Sequence, residues 1–149
     1  MKSIYTLTLL LVFILMPMSE VSAQTSETDL IGTWKLNYEN TLSKVSQAMR
    51  SKFDSLPAQA RTKAELAYRD RLIYLKSDES FLMSLTDGKT VSGFWKFNEG
   101  ANQLEVSTSR GKVFNYKARV LNSNTLILVI DPLNTSALFS EMEFTKIKN

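Results

Sequence analysis

The chain has 149 residues with 18 Lys and Arg against 15 Asp and Glu, a formal net charge of +3, and it contains neither histidine nor cysteine. A Ser-His-Asp triad, a cysteine nucleophile, a typical zinc site, His-ligated haem and disulfide staples are all excluded by that absence. Any chemistry must rest on carboxylates, Lys, Tyr, Ser or Thr, and stability must come from packing.

Residues 1–23 read as a signal peptide. Lys2 supplies a positive start, the apolar run from Ile4 to Met18 is too short and too poorly flanked for a stable membrane span, and Val21-Ser22-Ala23 offers a small-residue cleavage site before Gln24. No cysteine follows the run, so attachment through a lipobox thiol is excluded. The expectation is an exported protein, periplasmic or secreted. Residues 24–149, about 125 in number, suit one domain with a real core but not two.

After a polar stretch from Gln24 to Asp29, alternation predicts a strand over about 30–38, carrying Gly32-Thr33-Trp34-Lys35-Leu36-Asn37. The pattern then turns helical. Leu42, Val45, Met49, Phe53 and Leu56 form one stripe with Asn40 or Thr41 placed to cap it, and a second helix follows Ser55 and Pro57 with Ala60, Ala64, Ala67, Tyr68 and Arg71 on one face. From Leu72 the period becomes two, with turn signals roughly every eleven residues. Strands are expected at about 72–77, 80–87, 89–98, 103–109, 112–121, 125–131 and 138–147. Asp87-Gly88 suits a type I′ hairpin. The strand over 89–98 repeats the first motif as Gly93-Phe94-Trp95-Lys96-Phe97-Asn98, and Trp34 and Trp95 are the chain's 2 tryptophans. Each glycine shares its tryptophan's face, where a missing Cβ admits a close neighbour.

The expected fold is mainly β: an eight-stranded antiparallel up-and-down barrel with a two-helix insertion, about 40–71, between the first and second strands. Eight strands can close and either fill the interior with side chains or hold one small ligand. With Gly32-Thr33-Trp34 opening the first strand, Leu75-Lys76-Ser77-Asp78-Glu79-Ser80-Phe81 at the second turn, a second Gly93-x-Trp95 and a run of short hairpins, the chain resembles the lipocalin-like proteins exported by bacteria. It departs from their pattern in two places. Glu79 and Ser80 stand where the family often has a turn glycine, and the helical insertion is far longer than an ordinary first loop.

Parity through the meander places the insertion and the turns at 87–88, 110–111 and 131–137 at one end, the mouth. The turns at 77–80, 99–102 and 122–124 fall at the floor. Trp34 and Trp95 then converge on the floor with Gly32 and Gly93. The resemblance implies a cationic side chain across the first indole, a part open to Lys146 although the family's usual residue is Arg; Arg119 is the next candidate. The other reading has Lys146 solvated and Ile147 turned inward.

In the upper lumen, Tyr38, Leu85, Val91, Phe114 and Tyr116 are the expected ligand contacts, with Met49 and Phe53 of the helical stripe closing the cup. Such a site suits a small hydrophobic or amphipathic molecule under a helical lid. The alternative is a filled barrel whose basic insertion meets an envelope partner or an anionic lipid surface. Glu141 and Glu143 share an outward face, and no acid/base pair converges on the lumen. The reading is therefore a binding protein rather than an enzyme, a monomer that needs no metal or cofactor and binds no nucleic acid.

Overall fold

Large apolar side chains at every second position leave each strand one face to bury, and an antiparallel meander buries all those faces by closing on itself. The computed structural model describes residues 25–130 and 138–147. Its strands are β1 (Gly32–Leu36), β2 (Leu72–Leu75), β3 (Ser80–Ser84), β4 (Thr90–Asn98), β5 (Gln103–Thr108), β6 (Val113–Asn122), β7 (Thr125–Ile130) and β8 (Glu141–Ile147). They form a closed eight-stranded barrel in sequence order, with β8 returning to β1. The expected signal peptide and the turn at 131–137 lie outside the described residues.

The floor is built around the two indoles. Trp34 and Trp95 are almost wholly buried, and a buried indole N–H needs an acceptor. Trp34 Nε1 donates to the Leu30 carbonyl at 2.8 Å, and Trp95 Nε1 to the Lys76 carbonyl at 3.0 Å. In the register of β1 and β8, Trp34 stands opposite Lys146, whose ammonium lies 4.9 Å from the indole centroid and donates to the Asp29 carbonyl at 3.3 Å. Gly32 makes room for this crossing, since a Cβ there would stand 2.6 Å from Lys146 Cε. At Gly93 a Cβ would overlap the Ser107 carbonyl of β5. Ile147 is 39% exposed rather than turned inward.

Ahead of β1 the polar stretch closes into a short helix, α1 (Glu27–Leu30). Ser26 and Asp29 form a reciprocal capping box, and the Ser26 hydrogen bonds hold the Asp29 carboxyl below the usual carboxylate range. The helix delivers fully buried Leu30 beneath the barrel.

The insertion between β1 and β2 contains three helices, not two: α2 (Tyr38–Ser43), α3 (Gln47–Asp54) and α4 (Ala58–Tyr68). The expected first strand stops at Leu36 because Asn37 caps α2, its side chain accepting from Asn40 N at 3.2 Å. Tyr38 therefore opens a helix, though it stays buried. The single helix expected over the 42–56 stripe breaks after Lys44, where Ser46 caps α3 through Met49 N at 3.3 Å. Asn40 and Thr41 cap neither helix. Pro57 occupies the N-cap position of α4, and Arg71 lies beyond that helix's end.

Three hairpins share one closure. At 76–80, 85–89 and 108–112 the first residue's N–H donates to the fifth residue's carbonyl, and the fourth residue's N–H donates back to the first carbonyl. The fourth residue has positive φ each time: Glu79 at 61°, Gly88 at 80° and Gly111 at 76°. The Asp87-Gly88 turn is thus a three-residue loop with one left-handed position, not the two-residue type I′ turn expected. At Glu79 a side-chain-bearing residue occupies the left-handed position. Left-handed backbone costs such a residue about 1–2 kcal/mol, and glycine's extra freedom in the unfolded chain returns part of that. Glu79→Gly should stabilise the protein by about 0.5–1 kcal/mol. Urea unfolding monitored by tryptophan fluorescence checks this, and a lower midpoint would show that the Glu79 side chain contributes more than its backbone strain costs.

Candidate functional site

Side chains fill the barrel unevenly from floor to mouth. Where the lumen narrows among Ile73, Leu75, Leu104, Leu128, Phe144 and their neighbours, a void of about 30 Å³ remains, room for about one water. Above it lies a cavity of about 260 Å³, lined by Tyr68, Arg71, Phe81, Met83, Val91, Val106, Thr108, Phe114, Tyr116, Ile130 and Met142. Phe114 is 37% exposed despite its inward phase, so it forms part of the rim.

Arg71 brings the cavity its cation. Its carbonyl accepts from Leu36 N at 2.9 Å, extending the pairing of β1 and β2 by one step. Alternation through buried Ile73 and Leu75 then turns Arg71 inward. Nε and Nη2 donate to the Ala67 carbonyl at 3.1 and 2.9 Å, capping the end of α4. Nη1 is 3.9 Å from the Met142 sulfur, and the guanidinium carbon lies 4.1 Å from the centroid of the Tyr68 ring. Burial pulls the Arg71 pKa below the ordinary arginine value, with nearby Tyr68 and Tyr116 opposing that shift; an arginine still keeps its charge at neutral pH. Burial likewise pushes the Tyr116 phenol up, against the pull of Arg71. Tyr116 therefore presents a neutral hydroxyl to the cavity at neutral pH.

Aromatic rings cover this end. Phe139 meets Tyr68 edge-on at 4.7 Å and Tyr38 edge-on at 6.1 Å, while Arg69 stacks 4.8 Å from the Tyr38 centroid. Helix α2 is tied to the outer face of β8. Glu143 N donates to Thr41 Oγ1 at 3.0 Å, Asn40 Nδ2 donates to Glu143 at 2.7 Å, and Lys44 Nζ reaches Glu141 at 3.0 Å and Glu143 at 2.8 Å. The start of the insertion is thus clamped to β8.

Of the expected ligand contacts, Val91, Phe114 and Tyr116 line the cavity. Tyr38 does not; it packs in the roof behind Phe139. Leu85 lies in the hairpin beyond β3, where its N–H donates to Lys89. Met49 and Phe53 do not line the cavity either, and buried Phe53 stands apart from the continuous barrel core. The insertion reaches the cavity through Tyr68 and Arg71, because the end of α4 runs straight into β2. Phe139, Tyr68, Arg71 and Thr108 are residues at this end that sequence reasoning did not assign to the site. For Arg71 the signal was present, since it continues the inward phase of Ile73 and Leu75 by one position.

A second crevice, about 360 Å³ in volume, lies outside the floor among Thr25, Thr28, Asp29, Leu121, Ser123 and Lys146. It is the larger by volume but more open to solvent, and its cation is already engaged with Trp34 and the Asp29 carbonyl. Among the described residues, no three acidic side chains cluster as a metal site would need.

No family model and no curated protein matches the chain. Among solved structures it is similar to a DUF4847 family protein from Bacteroides vulgatus, determined at 1.00 Å resolution, with a TM-score of 0.46 and 16% identity. The match covers 87% of this chain and 97% of that one.

The clamp on β8 makes stability depend on pH. Hydrogen bonds from Lys44 first and Asn40 second hold the Glu143 carboxyl below its ordinary value. A carboxylate whose pKa is depressed by folding stabilises the fold above its unfolded pKa, about 4.3, and loses that contribution as pH falls through the lower folded value. Lys44 is 39% exposed, so screening discounts the pair to less than about 1 kcal/mol. Glu143→Gln should lower the melting temperature slightly at pH 7 and flatten its decline below about pH 4.3. Thermal melts of both proteins between neutral and acid pH check the slope.

Proposed function

We propose that this chain is an exported lipocalin-like binding protein that holds a small hydrophobic or amphipathic molecule in the mouth half of its barrel. The cavity of about 260 Å³ carries the reading, since its wall is apolar apart from Tyr68, Arg71, Thr108 and Tyr116. That volume lies just under the range of about 300–1,000 Å³ usual for small-molecule pockets, which favours a compact ligand. The apolar run at residues 4–18 and the small residues before Gln24 support export. Tyr68 and Arg71 cover the ligand from the end of the helical insertion, while the clamped start of that insertion holds its place on the wall. The packed lower barrel supplies rigidity, and the unfilled upper barrel supports ligand binding over a filled, purely structural role.

Titration calorimetry with six- to ten-carbon alcohols and carboxylic acids tests the proposal. Saturable one-to-one binding is expected, and Val91→Trp should abolish it by filling the cavity while the cooperative thermal transition is retained. Absence of binding for every probe, or undiminished binding in a folded Val91→Trp protein, overturns the reading.

A further inference from the structure

We infer that the molecule held in the cavity is a small monocarboxylate whose head group docks on Arg71, an inference that rests on the binding reading above. Among the described residues, no carboxylate lies within ion-pair distance of Arg71; the salt bridges made by these residues all involve other cations. A guanidinium carries five N–H donors. Here Nε and one N–H of Nη2 serve the Ala67 carbonyl, Nη1 meets the Met142 sulfur, a weak acceptor, and the Tyr68 side chain takes a further hydrogen bond, which leaves the guanidinium only partly engaged. A part-buried charge with donor capacity to spare is stabilised when an anion completes it. The cavity is where that anion has room to sit.

The same surroundings define its chemistry. One cation matches one negative charge, whereas the second charge of a phosphate monoester would find no second cation in the cavity lining. A planar carboxylate fits the arginine fork, and the neutral Tyr116 hydroxyl is a further donor at the cavity wall. The apolar wall takes the body of the molecule. At close packing, about 260 Å³ accommodates roughly ten to fifteen non-hydrogen atoms, the size of a medium-chain fatty acid or an arylpropanoate.

Calorimetry at pH 7 with two matched pairs, octanoate against octan-1-ol and 3-phenylpropanoate against 3-phenylpropan-1-ol, tests the inference. Each acid should bind at least about tenfold more tightly than its alcohol. In Arg71→Met that ratio should collapse towards one, while Arg119→Met, on the exposed outer face of β6, should leave it unchanged. If Arg71→Met does not fold, the Arg71 Nε–H resonance of the unsubstituted protein decides the question, because octanoate should shift it and octan-1-ol should not. Equal binding of acid and alcohol, an undiminished ratio in folded Arg71→Met, or an Arg71 resonance indifferent to octanoate overturns the monocarboxylate assignment and leaves the binding reading standing. Failure of both acids and both alcohols to bind overturns the two together.

Discussion

An indole N–H that leaves water must find an acceptor, and this barrel buries two of them at one end. Their requirements organise the floor. The Trp34 donor takes the carbonyl that ends α1, drawing the N-terminal segment under the barrel, and the Trp95 donor takes the carbonyl that opens the turn between β2 and β3. The same turn returns the Glu79 carbonyl to Trp95 N at 2.8 Å, so one residue grips it through both backbone and side chain. That double grip accounts for a left-handed backbone being tolerated at Glu79, where glycine would be the easier occupant.

The mouth follows the opposite rule. There the interior is left partly unfilled, a guanidinium is drawn inward, and the covering layer is made from rings stacked edge to face with arginines over their faces. A domain that meant only to be stable would place an aliphatic side chain at position 71 and close the gap. The division of labour is physical: a dense end that holds the shape, and a looser end that leaves space within the barrel.

Much of this architecture could be read from the sequence because period-two alternation and turn chemistry are local. The eight strands, their closure and the convergence of both tryptophans on one end follow from those signals alone. What escaped was decided by competition or by tertiary contact. At Asn37 a helix cap overrode the alternation that carried the strand on to Tyr38, and at Ser46 another cap split a stripe that looked continuous. Helix α1 has only four residues and acquires its burial from the barrel above it. Arg71 was assigned to a helical face because it continues the spacing of Ala60, Ala64, Ala67 and Tyr68, and its pairing with Leu36 reveals the strand phase it obeys.

The seam where β1 meets β8 carries a kinetic consequence. From β2 to β8 each strand pairs with its neighbour in sequence and the helical insertion alone separates β1 from β2, whereas the seam joins residues 33–36 to residues 144–147 across the whole domain. Contacts so distant along the chain are slow to form, because the loop between them must be closed before they repay its entropy. Lys146, which lies over the Trp34 ring, is in the last strand. Trp34 therefore emerges early in synthesis and meets Lys146 only after nearly the entire domain has followed it. The residue that seals the barrel is among the first of the fold to be made and among the last to be covered.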